Sequence, residues 1–142
     1  MNSHGPSIGA SNTTFLCSSV ITTRTFDRYA PDLLAAFHFI ATQGRAADCA
    51  PVAMLSASYN IPPQSLAMFA GKRVRIFAHD DATGYHAAAR WQAALKTSAR
   101  DVDAFSFAGI QTRDGQTVKD LNGFANCEAS DENRKHLANL LP

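Results

Sequence analysis

The stretch Gly71–Leu95, GKRVRIFAHDDATGYHAAARWQAAL, combines a strand, an acidic turn and a helix. Val74–Ala78 is a short apolar run with β-branched and aromatic residues, which predicts a strand covered on both faces in a parallel sheet. The run ends at His79–Asp81, after which small and apolar residues recur at helical spacing: Gly84, Ala87, Ala88, Trp91, Ala94 and Leu95. A polar cluster therefore lies where a strand leads into a helix. In open α/β sheets, ligands bind at that edge.

Composition limits the kind of protein to which this element can belong. The 142 residues are 46% apolar and 18% charged, which is typical of one globular domain with a substantial core. A net charge of +1 argues against a strongly basic protein that coats nucleic acid. The three cysteines lack CxxC spacing, so neither a disulfide framework nor a zinc knuckle is indicated. We expect a soluble cytoplasmic protein without a membrane segment, because no apolar run approaches the ~20 residues of a span.

Strand and helix patterns alternate along the chain. Residues 1–14, rich in Gly, Ser, Asn and Thr, predict a flexible tail ahead of a single domain at 15–142. The predicted elements are strands at Phe15–Thr25, Pro51–Leu55 and Asp101–Phe107, and helices at Pro31–Gln43, Gln64–Ala70 and Ser130–Leu141. In the first helix, the apolar stripe is predicted at Leu33, Leu34, Phe37, Ile40 and Ala41. This order predicts an α/β fold with a mainly parallel sheet of about four strands flanked by helices.

The turn after the central strand carries the candidate chemistry. Side chains two residues apart in an extended chain project to the same side, so His79 and Asp81 are predicted to point into the crevice and Asp80 away from it. Such a group can hold a divalent cation, and oxygen ligands suit Mg²⁺. An imidazole shifts the preference toward Mn²⁺ or Zn²⁺. The alternative is that the turn caps the following helix and has no further role.

The segment RIFAHDDATGYHAAARW resembles the second motif of the Toprim domain, the metal-binding module of bacterial primases, topoisomerases and small nucleases. That motif is a strand ending in Asp-x-Asp with a glycine three residues later, matched here by Asp81 and Gly84, with His79 in place of the first aspartate. Further pieces follow the order seen in primase-type members: PDLLAA from Pro31, SASYNIP from Ser56 and VKDLN from Val118. The resemblance extends roughly from Thr22 to Asn122 and implies a Rossmann-like Toprim fold.

The chain departs from this family at the first motif. The family has Glu-Gly four residues ahead of an aspartate, and its Glu is the proposed general acid/base; counting back from Asp32 places Arg28 and Tyr29 there. The carboxylate is missing unless Asp27 substitutes after a shift of one residue. A guanidinium cannot act as a base at neutral pH, because its pKa is far too high.

The resemblance implies a Toprim-like module of a primase or mobile-element replication protein, with nucleic acid, DNA above all, and a helicase or other replication proteins as partners. In this hypothesis His79, Asp80 and Asp81 hold Mg²⁺ or Mn²⁺ weakly, and Asp81 is the remaining catalytic carboxylate. The nucleic-acid-binding residues are Lys119, Asp120, Lys72 and Arg73. Phosphoryl transfer is expected to be weak or absent.

Two other interpretations stay open. The fold can persist as a non-catalytic nucleic-acid or protein interaction module, which the missing glutamate favours. A receiver-like signalling domain also places an acidic pocket at strand ends, although the acidic pair it needs at the first strand is absent. In each case Trp91 is predicted to be a core residue, because it shares the apolar stripe of its helix.

Overall fold

The computed structural model describes residues 13–18, 30–127 and 130–141. The strands are β1 (Thr13–Ser18), β2 (Cys49–Met54), β3 (Arg73–Phe77) and β4 (Asp101–Ala104). The helices are α1 (Ala30–Thr42), α2 (Ala82–Leu95), α3 (Leu121–Phe124) and α4 (Asp131–Ala138), and a 3₁₀ helix spans Pro63–Phe69. The prediction of a mixed α/β chain is confirmed.

The strands pair in the order β2-β1-β3-β4, and every pairing in the sheet is parallel. Strand β2 pairs with one edge of β1. The chain then crosses over to the other edge of β1, where it forms β3 and β4. The strand order therefore reverses between β1 and β3. In sheets of this kind, the crevice outside the carboxyl ends of the strands at that reversal is the common ligand position.

Each face of the sheet is covered by a separate apolar cluster. Strand β3 alternates between them: Val74 and Ile76 face the cluster of α2, whereas Phe77 belongs to the cluster built on α1, α3 and the C-terminal residues. Trp91 on α2 is fully buried, and its Nε1 donates a hydrogen bond of 2.8 Å to the carbonyl of Tyr59. The predictions of a doubly covered central strand and of a core tryptophan are confirmed.

The predicted stripe of α1 is confirmed at Ile40 and wrong at Leu34 and Phe37. Leu34 and Phe37 are 64% and 53% exposed, whereas the inward positions of the helix are Asp32, Ala35, Ala36, Phe39 and Ile40. These positions follow the spacing i, i+3, i+4, i+7 and i+8, which is also a helical face. The Asp32 carboxyl therefore lies on the same face of α1 as the buried Ala35 and Ala36, and the larger Leu34 and Phe37 are exposed.

Several element boundaries differ from the predictions. Strand β1 begins at Thr13, so the first domain residues precede the predicted boundary at 14/15, and the predicted strand beyond Ser18 lies outside the described residues. Strand β4 ends at Ala104, three residues before the predicted end at Phe107. The chain leaves the strand there, and Phe105 and Phe107 pack against Phe77 in its apolar cluster. In the part of the chain that the structure describes, no helix is both long and apolar enough to cross a bilayer.

Candidate functional site

Asp81 connects strand β3 to helix α2 as the helix cap. Its backbone is extended, and its Oδ1 accepts a 2.7 Å hydrogen bond from the N–H of Gly84. Gly84 is buried, and a Cβ at this position would lie 2.1 Å from the carbonyl oxygen of His79. Only glycine lets the first turn of α2 approach the end of β3 this closely. Asp81 thus caps α2. The residue is also exposed, so the side of its carboxylate that faces away from the helix is accessible to solvent.

His79 points toward two carboxylates that come from other elements. Its Nε2 lies 3.8 Å from Oδ2 of Asp32 at the start of α1, and 3.6 Å from Oδ2 of Asp120 at the start of α3. Chain topology brings Asp32 here, because α1 follows β1 and β1 is the neighbour of β3. Asp120 arrives with the loop after β4, whose Lys119 carbonyl accepts a hydrogen bond from the N–H of Asp80. The prediction paired His79 with Asp81, whereas the structure joins it to Asp32 and Asp120. We refer to His79, Asp32 and Asp120 as the edge cluster.

Asp32 is the buried member of the edge cluster. The pKa of its carboxyl is raised to about 6, mainly by burial and to a smaller extent by the negative charge of Asp120. A 2.9 Å hydrogen bond from the N–H of Asn122 to Oδ1, together with His79, acts in the opposite direction. Asp32 therefore exchanges its proton close to neutral pH. Asp32 was not among the predicted site residues. The signal that could have found it is a carboxylate in the first turn of the helix after a strand adjacent to β3.

Lys119 and Asp120 lie at the same edge as His79, as their place after the last strand predicted. The carbonyl of Lys119 accepts a 2.9 Å hydrogen bond from the N–H of Asp80, which fixes the two loops side by side. Asp120 caps α3 by accepting a 2.6 Å hydrogen bond from the N–H of Gly123 on Oδ1, which leaves Oδ2 facing His79. Lys119 is exposed, and its ammonium group forms no ion pair with any residue in the described ranges.

Asp80 binds the side chain of Tyr85 instead of the edge cluster. The phenol hydroxyl of Tyr85 donates a hydrogen bond to Oδ1 of Asp80. Asp80 is half-buried, and Tyr85 is 57% exposed on the first turns of α2. The structure thus separates the three predicted ligands: His79 faces inward, Asp81 caps α2, and Asp80 holds Tyr85.

Comparison with protein-family models, with curated proteins and with solved structures found no match for this chain.

The remaining predicted residues do not join this group. Lys72 and Arg73 precede or open β3, so they lie at the amino end of the strand, about 13 Å from its carboxyl end at the usual rise per residue. Arg73 contacts Asp101 there, with Nε 3.5 Å from Oδ2. Asp27, Arg28 and Tyr29 lie outside the described residues.

The donor types of the edge cluster fit Mn²⁺, because two of the three are carboxylates and Mn²⁺ also accepts imidazole. The distances from His79 to the two carboxylates, 3.8 and 3.6 Å, are longer than those between ligands of a bound cation. Adjacent ligands of a six-coordinate cation lie about 3 Å apart at the usual bond lengths. Within the described residues, no group of three or more His, Cys, Asp or Glu side chains is arranged as a preformed metal site. A cation would have to draw the edge cluster together, which favours weak binding.

Proposed function

We propose that the chain is a Toprim-like module, with a Rossmann-like sheet, of a primase or mobile-element replication protein. It binds a divalent cation weakly and nucleic acid, and it has little or no phosphoryl-transfer activity of its own. The observation that carries the proposal is the convergence of His79, Asp32 and Asp120 at the carboxyl edge of the sheet, beside the reversal of strand order. The ordered sequence pieces that resemble the Toprim family support the same conclusion.

In this proposal the side chains have separate roles. His79 and Asp120 hold the cation, Asp32 supplies a third donor once its proton is lost, and Asp81 approaches from the cap of α2. The bound cation supplies positive charge that lets a phosphate group approach a strongly acidic edge. Lys119, exposed beside Asp80, neutralises an adjacent phosphate. Lys72 and Arg73, at the other end of β3, can contact only a different part of a nucleic acid chain.

Cation binding is tested by titrating Mn²⁺ into the protein and following free Mn²⁺ by electron paramagnetic resonance. Replacing Asp120→Asn removes one charged donor while keeping its size, and we expect Mn²⁺ affinity to fall about tenfold or more. Asp131→Asn is the matched control, because Asp131 lies exposed on α4 and makes only a local pair with Arg134. Unchanged affinity in Asp120→Asn, or no Mn²⁺ binding by the wild type, would remove the cation from the proposal.

Catalytic weakness is tested by restoring the family pattern with Arg28→Glu and His79→Asp together. A positioned acid/base is commonly worth ~10²–10⁴ in rate, and the resemblance places Arg28 where that carboxylate is expected. The double variant should bind Mg²⁺ more tightly than the wild type and should nick supercoiled DNA faster. Each single variant serves as a control. Wild-type cleavage that the double variant does not improve would show that Arg28 is not at the acid/base position.

A non-catalytic interaction module is the second candidate, and the edge cluster itself favours it. The His79 imidazole lies 3.8 Å from the carboxylate of Asp32 and 3.6 Å from that of Asp120, so both carboxylates have a partner within the protein. The fold then needs no metal, and the exposed Leu34 and Phe37 on α1 offer apolar contact area. The Mn²⁺ titration separates the two candidates, because an interaction module of this kind predicts no measurable binding.

A further inference from the structure

Tyr85 is an exposed aromatic residue whose ring is held at both ends. Its backbone lies in the first turns of α2, directly after the buried Gly84, and its hydroxyl donates to Asp80 at the end of β3. Between these two anchors the side chain is 57% exposed, and its ring contacts no other aromatic ring of the described residues. The ring is therefore oriented before any ligand arrives, and its surface remains accessible.

The surroundings of Tyr85 combine this ring with a cationic side chain. Asp80, which accepts from the Tyr85 hydroxyl, also donates its N–H to the carbonyl of Lys119. Asp80 thus holds the exposed Tyr85 through its side chain and contacts the backbone of the exposed Lys119 through its own N–H. An aromatic ring stacks on bases and a lysine contacts backbone phosphates, which is the pairing found in grooves that bind single strands.

Phe37 shows what a comparable exposed ring without these features looks like. It is 53% exposed on α1, but it lies five residues beyond Asp32, about 7 to 8 Å along the helix from the edge cluster. Its side chain carries no polar group that could fix its orientation. The two rings are therefore matched in exposure and differ in placement and anchoring.

We propose that Tyr85 is a stacking platform for one base of a single-stranded nucleic acid whose backbone passes Lys119 and the edge cluster. This inference rests on the proposed function, and it adds the substrate class: a strand with unpaired bases. The ring selects a single strand because the base faces of a duplex are covered by neighbouring base pairs, whereas unpaired bases can leave the stack. The Asp80 bond positions the ring and does not contact the strand.

The test measures binding of a fluorescently labelled single-stranded DNA of mixed sequence by anisotropy, in buffer containing Mn²⁺. Tyr85→Ala should weaken binding about tenfold, which lies within the usual range for loss of one stacked base. Tyr85→Phe keeps the ring but loses the Asp80 bond that orients it, so it should weaken binding clearly less than Tyr85→Ala does. Phe37→Ala is the matched control and should leave affinity unchanged.

An abasic strand of the same length separates stacking from backbone contacts. The wild type should bind it about tenfold more weakly than the base-bearing strand, and Tyr85→Ala should bind both strands alike. Thermal unfolding followed by circular dichroism checks that each variant is folded, which the exposure of Tyr85 leads us to expect.

The possible failures are distinguishable. Binding by the wild type that Asp120→Asn weakens and Tyr85→Ala does not would overturn the stacking role and leave the proposed function standing. Equal losses in Tyr85→Phe and Tyr85→Ala would overturn it as well, because the hydroxyl bond would then be responsible. No binding of the strand by the wild type would overturn both the stacking role and nucleic-acid binding.

Discussion

Helices α2 and α3 begin with the same short pattern, Asp-x-x-Gly, at Asp81–Gly84 and Asp120–Gly123. In both, the aspartate is extended and accepts a hydrogen bond from the N–H of the glycine, at 2.7 Å in α2 and 2.6 Å in α3. The surroundings of the two caps differ. The first glycine is buried against the backbone of His79, two residues after β3, whereas the second is half-buried and a Cβ there would meet only side chains.

The difference shows how one local pattern serves two purposes. In α2 the glycine is the constrained residue, because it lets the helix start against the carbonyl of His79. In α3 the aspartate is the constrained residue, because its second oxygen faces His79 at 3.6 Å while the first caps the helix. The cap of α2 therefore fixes the position of the edge, and the cap of α3 contributes a group to it.

Gly84→Ala should have the largest effect of the changes that compare the two caps. The added Cβ would lie 2.1 Å from the backbone oxygen of His79, so the start of α2 must move. We expect the free energy of unfolding to fall by about 3 kcal/mol, the upper range for overpacking, since backbone cannot yield as a side chain does. Urea denaturation followed by circular dichroism measures it.

Gly123→Ala is the matched control. Its Cβ would lie 3.1 Å from Oδ1 of Asp120, a side-chain atom that can shift slightly, and the expected loss is below about 1 kcal/mol. Similar losses in both variants would show that the close approach of α2 to His79 does not distinguish the caps.

Asp32→Asn should make stability less dependent on pH. The pKa of Asp32 is raised from 3.8 to about 6, so the folded state holds a proton that the unfolded chain releases. Its stabilising contribution is fully present below pH 3.8 and is lost as pH rises through about 6. Asparagine stays neutral and can still accept from Asn122. At pH 7 the variant should exceed the wild type by about 2 to 3 kcal/mol in unfolding free energy, and at pH 4 the two should be close.

Denaturation at several pH values measures this difference, and Asp48→Asn gives a control of opposite sign. Arg45 holds the pKa of Asp48 below its usual range, so stability from that carboxylate is present at neutral pH and is lost as pH falls. A lower stability of Asp32→Asn at pH 7 would mean that the Asp32 charge is compensated in the folded state.

The smallest expected effect is a change in the pKa of Asp32, and it distinguishes Asp120→Asn from Asp81→Asn. The charge of Asp120 raises the pKa of Asp32, and Asp81 is not among the groups that shift it. Asp120→Asn should therefore lower the Asp32 pKa, whereas Asp81→Asn should leave it unchanged. Carboxyl ¹³C chemical shifts recorded during a pH titration measure both. An equal shift in both variants would place the two capping aspartates at similar distances from Asp32.

Local patterns predicted the strand, turn and helix from Arg73 to Leu95, because strand and helix periods are strong there and the polar turn His79–Asp81 separates them. The face of α1 was not predictable in the same way. Two stripes fit the helical period, and the choice depended on a buried carboxyl whose partner, the N–H of Asn122, lies 90 residues away. The same long-range contact explains why Asp32 was missed as a member of the site.

The positions of the basic residues predicted to bind nucleic acid show a second limit of prediction from the sequence. Lys72 and Arg73 are close to His79 in sequence, but an extended strand separates its ends by its full length. Lys119 is distant in sequence and near in space, because the chain returns to the same edge after β4. Topology therefore decides which residues lie at the carboxyl edge of the sheet. The order of the strands has to be known before the residues of the site can be predicted.

Arg75, in the middle of β3, is bound to Asp103 and to the backbone carbonyls of Asn139 and Leu140 near the end of the chain. Asn139 is made 64 residues after Arg75. At a synthesis rate of about 5–20 residues per second, the sheet waits roughly 3–13 s for these carbonyls. During that interval the cluster that later encloses Leu140 is incomplete. A nascent chain paused before residue 139 should accordingly be a favourable target for chaperones and proteases.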